Sequence, residues 1–179
     1  MDIHHHYSVN KPGNATSMKS DQIEKKTRTL FHGIHKKQAG NDEVFSRLVS
    51  LLSPEYLQES PDFFKQKICL DAGCGSNANA THSMLLQGAE KVYAFDLDES
   101  IFETAPSKLQ SFEGKYELSV DNVLHTKYPD DFFDVVHCSG VLHHSTDVYK
   151  GMEELVRVTK PGGMLITMTY GKGGIIRDI

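Results

Sequence analysis

The run Ile68-Cys69-Leu70-Asp71-Ala72-Gly73-Cys74-Gly75-Ser76-Asn77-Ala78 decides how this chain is read. A short apolar stretch enters a glycine turn, and a helical pattern follows, so strand, turn and helix come in that order. Gly73 and Gly75 carry no side chain to hold a ligand away from the backbone, which marks a nucleotide site. Gly73-x-Gly75-x-x-Ala78 also satisfies the G-x-G-x-x-G/A dinucleotide pattern. That pattern alone is a weak signal, and it keeps an NAD-dependent oxidoreductase open as an alternative.

Asp71 bears on that choice. It stands two residues before Gly73, where a pyrophosphate on the loop would face a like charge in partly desolvated surroundings. A cationic ligand would be attracted there instead, directly or through backbone groups and water. Asp96 closes the apolar run Val92-Tyr93-Ala94-Phe95, 21 residues after Gly75. An acid at that distance and at the tip of the next strand can accept from both hydroxyls of a ribose. Asp98, two positions on, reads as an N-cap of the helical pattern Glu99, Ile101, Phe102, Leu109. A third acidic site, Asp121-Asn122, follows Tyr116-Glu117-Leu118-Ser119-Val120. Asp121 suits an exocyclic amine, and the backbone of Asn122 or Val123 a ring nitrogen. A plain turn-forming pair explains the same two residues.

Outward from the glycine run, β-branched or apolar stretches alternate with helical patterns, as in a parallel sheet with crossover helices. The pattern predicts strands at 67–71, 91–95, 116–120, 133–138 and 163–169, and helices at 78–87, 99–110 and 147–159, the last stopped by Pro161. Residues 121–131 carry no clear period. Upstream, Ile23, Leu30, Phe31 and Ile34 predict a helix capped by Ser20 or Asp21 and ending near 35. Val44, Phe45, Leu48, Val49, Leu51 and Leu52 predict a second before Pro54. The expected organisation is a disordered leader at 1–19, a helical segment at 20–60 and an α/β core at 61–179. No function attaches to His4, His5 and His6.

The 179 residues, 39% hydrophobic and 24% charged, suffice for one core and are too apolar for wholesale disorder. No window is long and apolar enough for a membrane span or a secretory signal. Cys69, Cys74 and Cys138 form no CxxC pair, so neither a disulfide framework nor a zinc cluster is signalled, and a reducing cytoplasm fits. His32 and His35 lack a third ligand, and no metal is expected. The net charge of -5 argues against a nucleic-acid wrapper. Residues 1–40 hold seven Lys/Arg against three Asp/Glu, while 41–179 hold 12 against 21, so a basic arm precedes an acidic body.

Taken together, Leu70-Asp71-Ala72-Gly73-Cys74-Gly75, Asp96, Asp121, Phe133-Asp134-Val135-Val136 leading to Gly140-Val141-Leu142-His143-His144, and Leu155 to Gly163 through Lys160-Pro161-Gly162-Gly163 resemble the class I S-adenosylmethionine-dependent methyltransferases. The His143-His144 loop and the Pro161-Gly162-Gly163 turn are similar to the branch acting mostly on small molecules. The resemblance implies a Rossmann-like open, mostly parallel sheet with helices on both faces. It implies S-adenosylmethionine as cofactor, with contacts from Asp71, Gly73, Cys74, Gly75, Asn77, Asp96, Leu97, Asp121, Asn122 and Ser139. It also implies a small-molecule acceptor, attacked in line, with His143 or His144 as base or orienting group. Phe31 and Phe45 become candidate covers of a cofactor lid. The family's sheet has seven strands and this sequence supplies five, so the chain reads as a piece of a longer protein whose last two strands are missing. A non-catalytic interaction module is the further alternative. Neither the Pro-Cys motif of cytosine methylation nor the Asn/Asp-Pro-Pro-Tyr loop of exocyclic-amine methylation is present.

Overall fold

A computed structural model describes residues 15–38 and 41–170. Two helices, α1 (Ala15–Gln38) and α2 (Asp42–Ser50), precede an alternation of β1 (Ile68–Ala72), α3 (Asn79–Leu86), β2 (Lys91–Asp96), α4 (Ile101–Lys108), β3 (Tyr116–Val120), β4 (Phe133–Ser139), α5 (Val148–Val158) and β5 (Thr159–Met168). The strands form one sheet in the order β3-β2-β1-β4-β5, and each neighbouring pair is parallel. The order reverses between β1 and β4, and the carboxyl ends of the strands open a crevice at such a switch point. No helix among the described residues is long and apolar enough to cross a membrane.

The alternation of side chains along each strand builds two cores. Cys69 of β1 and Val135 of β4 face Met84 and Leu85 of α3 and Ile101 and Ala105 of α4. Leu70, Ala72, Val136 and Cys138 point the other way, to Leu155 and Val158 of α5 and to Tyr128 and Phe133. Helices therefore cover both faces, which is why β1 and β4 are buried along most of their length, with Asp71 and His137 as polar exceptions between apolar neighbours.

The element boundaries differ from expectation where local geometry intervenes. Helix α1 begins at Ala15, so Ser20 and Asp21 lie within the helix and not at its N-cap, and residues 15–19 of the expected leader are helical. Residues 1–14 of that leader lie outside the described residues. Asn41 caps α2, its side chain accepting the Val44 amide at 3.1 Å. Helix α3 starts one residue late because Ala78 is left-handed, at φ 46°. Strand β5 starts at Thr159 because Lys160 to Gly163 bulge between the pairs Phe133–Thr159 and Val135–Met164. A Cβ at Gly163 would meet the Asp134 and Lys160 carbonyls, each at 2.9 Å.

Residues 121–131, which carry no period, are held by tertiary contacts. Glu154 of α5 accepts from the Thr126 amide (2.6 Å) and hydroxyl (3.0 Å) and from Arg157, which also donates to Asp130 (2.6 Å) and the Tyr128 carbonyl (2.9 Å). Chiefly through the Arg157 hydrogen bond, the Glu154 carboxyl is lowered from its ordinary 4.5 to about 2. A depressed carboxyl contributes stability that is complete above its unfolded value and is lost as pH falls through the folded one. The stability gap between the parent and Glu154→Gln is therefore expected to be widest near neutral pH and to narrow as pH falls from 4.5 towards 2. Urea midpoints measured at several pH values test this, and a gap independent of pH would contradict it.

Candidate active site

The turn after β1 is tied to β2: the Gly73 and Cys74 amides both donate to the Phe95 carbonyl, at 2.8 and 2.9 Å. Asp96, closing β2, is the junction of three loops. Its Oδ2 accepts the Gly75 amide (3.0 Å), its Oδ1 the Asp98 amide (3.1 Å), and its carbonyl the Asp121 amide (3.1 Å). Two backbone amides thus orient a carboxylate, which offers about four acceptor sites in all. Asp121 is fixed in the same way, by the Asn122 amide at 2.8 Å and the Lys127 amide at 3.2 Å.

These strand ends enclose a cavity of about 170 Å³ lined by Gly73, Phe95, Asp96, Leu97, Asp98, Asp121, Asn122, Val123 and Leu124 from the β1 to β3 side. Ser139, Gly140, Val141, His144, Ser145 and Thr146 line it from the β4 side, and Glu24, Thr27, Arg28 and Phe31 of α1 from above. Helix α1 is seated by side chains. Asn122 donates to Glu24 at 3.0 Å, the Phe31 ring meets the His144 ring edge-on at 4.7 Å, and His32 pairs with Asp98 at 3.1 Å. A larger, more polar depression of about 590 Å³ lies at the opposite end of the sheet, beside Lys67 and Asp134. The glycine turn and the acids at the strand ends are not part of it.

Gly73, Asp96, Leu97, Asp121, Asn122, Ser139 and His144 therefore line one cavity. Other residues expected there do not. Asp71 is 1% exposed and sits one layer below. It accepts the amide and hydroxyl of Thr81, at 2.9 and 2.7 Å, and its other oxygen faces His137 Nδ1 at 3.0 Å. Cys74 and Asn77 are buried in the turn, and burial, with Asp71 and Asp96 nearby, raises the Cys74 thiol pKa well above its usual range. Gly75 acts through its amide on Asp96. His143 packs between the rings of His144 (4.0 Å) and Tyr170 (4.2 Å), and both its nitrogens are enclosed with no hydrogen-bond partner among the described residues.

Asp98 is more than a cap. Ser100 holds the N-cap position of α4, and Asp98 accepts the Ser100 amide and hydroxyl while lining the cavity. Phe45 lies away from the cavity, edge-on to His82 at 5.1 Å. The side chain of His35 lies outside the described residues. Among the described residues no group of three His, Cys, Asp or Glu could hold a metal. The sequence reading missed Glu24, Thr27 and Arg28, since nothing local shows which face of a leader helix meets a cavity. It also missed His137, which looked like part of a core strand.

The cavity walls set the carboxylates Glu24, Asp96, Asp98 and Asp121 against the guanidinium of Arg28, so the site favours a ligand with positive charge. Burial holds the pKa of His144 below its usual value, and burial together with His144 does the same for His143.

The profile of the methyltransferase domain family matches residues 70–167. The ubiquinone/menaquinone biosynthesis C-methyltransferase UbiE of Proteus mirabilis is 27% identical over 157 residues, covering 85% of this chain and 62% of that protein. The chain thus spans about three fifths of the length of that curated relative. Phosphoethanolamine N-methyltransferase 1 of Haemonchus contortus, solved with phosphoethanolamine and S-adenosylhomocysteine, superposes with a TM-score of 0.67 at 16% identity, over 86% of this chain and 34% of its own. An S-adenosylmethionine-dependent methyltransferase of Mesorhizobium loti does so with a TM-score of 0.53 at 22% identity, over 58% and 47%. These likenesses share the fold, and none of them supports the oxidoreductase alternative. The family match runs from within β1 to within β5, glycine turn and acidic strand ends included, and the chain belongs to the S-adenosylmethionine-dependent methyltransferases.

Proposed function

We propose that this chain positions S-adenosylmethionine against a small-molecule acceptor, which attacks the methyl group in line. The observation that carries the reading is the cavity in which Gly73, Asp96 and Asp121 meet beneath α1. The group fits its walls: the carboxylates suit a ligand bearing ammonium and sulfonium charges, and Leu97 and Phe31 offer apolar surface to a purine. When bound, the cofactor supplies an electrophilic methyl on a sulfonium. Asp96 accepts from the ribose hydroxyls, Asp121 from the adenine amine, and Gly73 and Ser139 flank the methionine portion. Helix α1 covers the site through Phe31 and Thr27.

Holding the reactants together contributes about 7 to 11 kcal/mol, more than the 10²- to 10⁴-fold of a placed base. His144 is the better placed of the two histidines for that lesser role. It reaches the cavity, whereas the nitrogens of His143 are enclosed. The name of the relatives makes a quinone-precursor ring carbon the first acceptor to try. The free, buried thiols of Cys69, Cys74 and Cys138 suit the reducing cytoplasm in which we place the activity.

Titration calorimetry with S-adenosylhomocysteine tests the cofactor site. A hydrogen bond to a charged group is worth about 1.5 to 3 kcal/mol, so Asp96→Ala should weaken binding by about tenfold or more. A folded Asp96→Ala variant that binds as tightly as the parent would remove Asp96 from the site. Labelled methyl transfer to the candidate acceptors then tests the reaction.

A further inference from the structure

Beneath the cavity floor lie two polar groups, Asp71 and His137, that the methyl-transfer reading leaves unused. Asp71 of β1 and His137 of β4 are register partners across the parallel pair. Their side chains, 1% and 14% exposed, meet at 3.0 Å between Oδ1 and Nδ1. On the far side of the ring, His137 Nε2 lies 2.9 Å from Ser139 Oγ. Ser139 stands two residues further along the same face of β4 and lines the cavity. The three residues form a continuous Asp–His–Ser line from the interior to the site.

We infer that His137 is a positioning residue that makes Ser139 a hydrogen-bond acceptor for the ammonium of the methionine portion. The inference rests on the cofactor reading above and deepens it. Its logic is the direction of each bond. Asp71, as a carboxylate, only accepts, and Thr81 already donates twice to its Oδ2. Oδ1 therefore takes a proton from Nδ1 of His137. A neutral imidazole with its proton on Nδ1 offers a lone pair at Nε2, so the Ser139 hydroxyl donates inward to it. The serine oxygen is then left with its lone pairs turned to the cavity. Such a group receives an N–H donor and rejects an acceptor. The buried negative charge of Asp71 polarises the line in the same sense. In this way a carboxylate too deep to touch the ligand still contributes to its recognition.

Two ligands separate this role from a general one. S-adenosylhomocysteine carries the ammonium, and 5′-methylthioadenosine keeps the nucleoside and thioether without it. Calorimetry with both is expected to show that Ser139→Ala and His137→Phe each weaken S-adenosylhomocysteine by about tenfold, the scale of one hydrogen bond to a charged group. Binding of 5′-methylthioadenosine should change less than about twofold, because its contacts lie elsewhere. Asp96→Ala, by contrast, should weaken both. A variant that merely loosens the fold also weakens both ligands together, and Ser139→Ala, which removes one oxygen at the cavity wall, guards against misfolding of the histidine variant. An unchanged ratio of the two affinities in Ser139→Ala would overturn the proposal, and so would a changed ratio there with none in His137→Phe, which would leave Ser139 acting alone. If the parent binds neither ligand, the cofactor reading itself falls and takes this role with it.

Discussion

Asp71→Ala is expected to be among the most destabilising single substitutions in this chain, and its effect should be on folding before it is on binding. The carboxylate is 1% exposed and accepts from the Thr81 amide and hydroxyl and from His137. Alanine strands all three donors in a site water does not readily reach. Each buried donor left unsatisfied costs about 1 to 3 kcal/mol, so three together are a large share of the roughly 5 to 15 kcal/mol that holds a domain together. Urea unfolding followed by circular dichroism should show the midpoint collapse. Asp71→Asn, which keeps an oxygen for Thr81, should recover part of the loss. A midpoint for Asp71→Ala close to that of the parent would mean that the Asp71 contacts carry no weight.

Gly73→Ala is expected to disable the site by a different route. Gly73 has φ +79°, and a Cβ there would collide with Cγ2 of Val141. The left-handed backbone costs a non-glycine residue about 1 to 3 kcal/mol, and overpacking adds about 1 to 3 kcal/mol more unless the turn shifts. Any shift moves the two amides that tie the turn to Phe95, so S-adenosylhomocysteine affinity should fall with stability. The double variant Gly73→Ala/Val141→Ala separates the two causes. It relieves the clash and leaves the backbone strain, so it should restore part of the stability lost in the single variant. Equal stability of single and double variants would show that Val141 does not confine the turn.

The glycine turn and the acids at the strand ends were legible because each is a local statement. An apolar run, two glycines and an acid about 20 residues on need no knowledge of the rest of the chain. The same locality left the depth of Asp71 open. Its spacing from Gly73 fits attraction of a cationic ligand directly or through intervening groups, and only the pairing of β1 with β4 shows that His137 and Ser139 lie between it and the cavity. Asp98 was read as a cap because the helical pattern begins beside it, while its partner His32 lies 66 residues away. Strand β5 begins earlier than its sequence suggests because a bulge around Gly162 and Gly163 lets the ladder resume at Met164. Propensity alone does not show that, since Pro and Gly argue against a strand.

The amino-acid sequence by itself determined the alternation of strands and helices, the glycine turn and the acidic residues that end β2 and β3. Each follows from side-chain periodicity or backbone freedom within a few residues. The tertiary structure decided which acids line the cavity and which lie beneath it, that α1 roofs the cavity with Phe31 and Arg28, and that His137 joins Asp71 to Ser139. Those outcomes depend on the register between strands distant in sequence, which the pattern within any one strand does not contain.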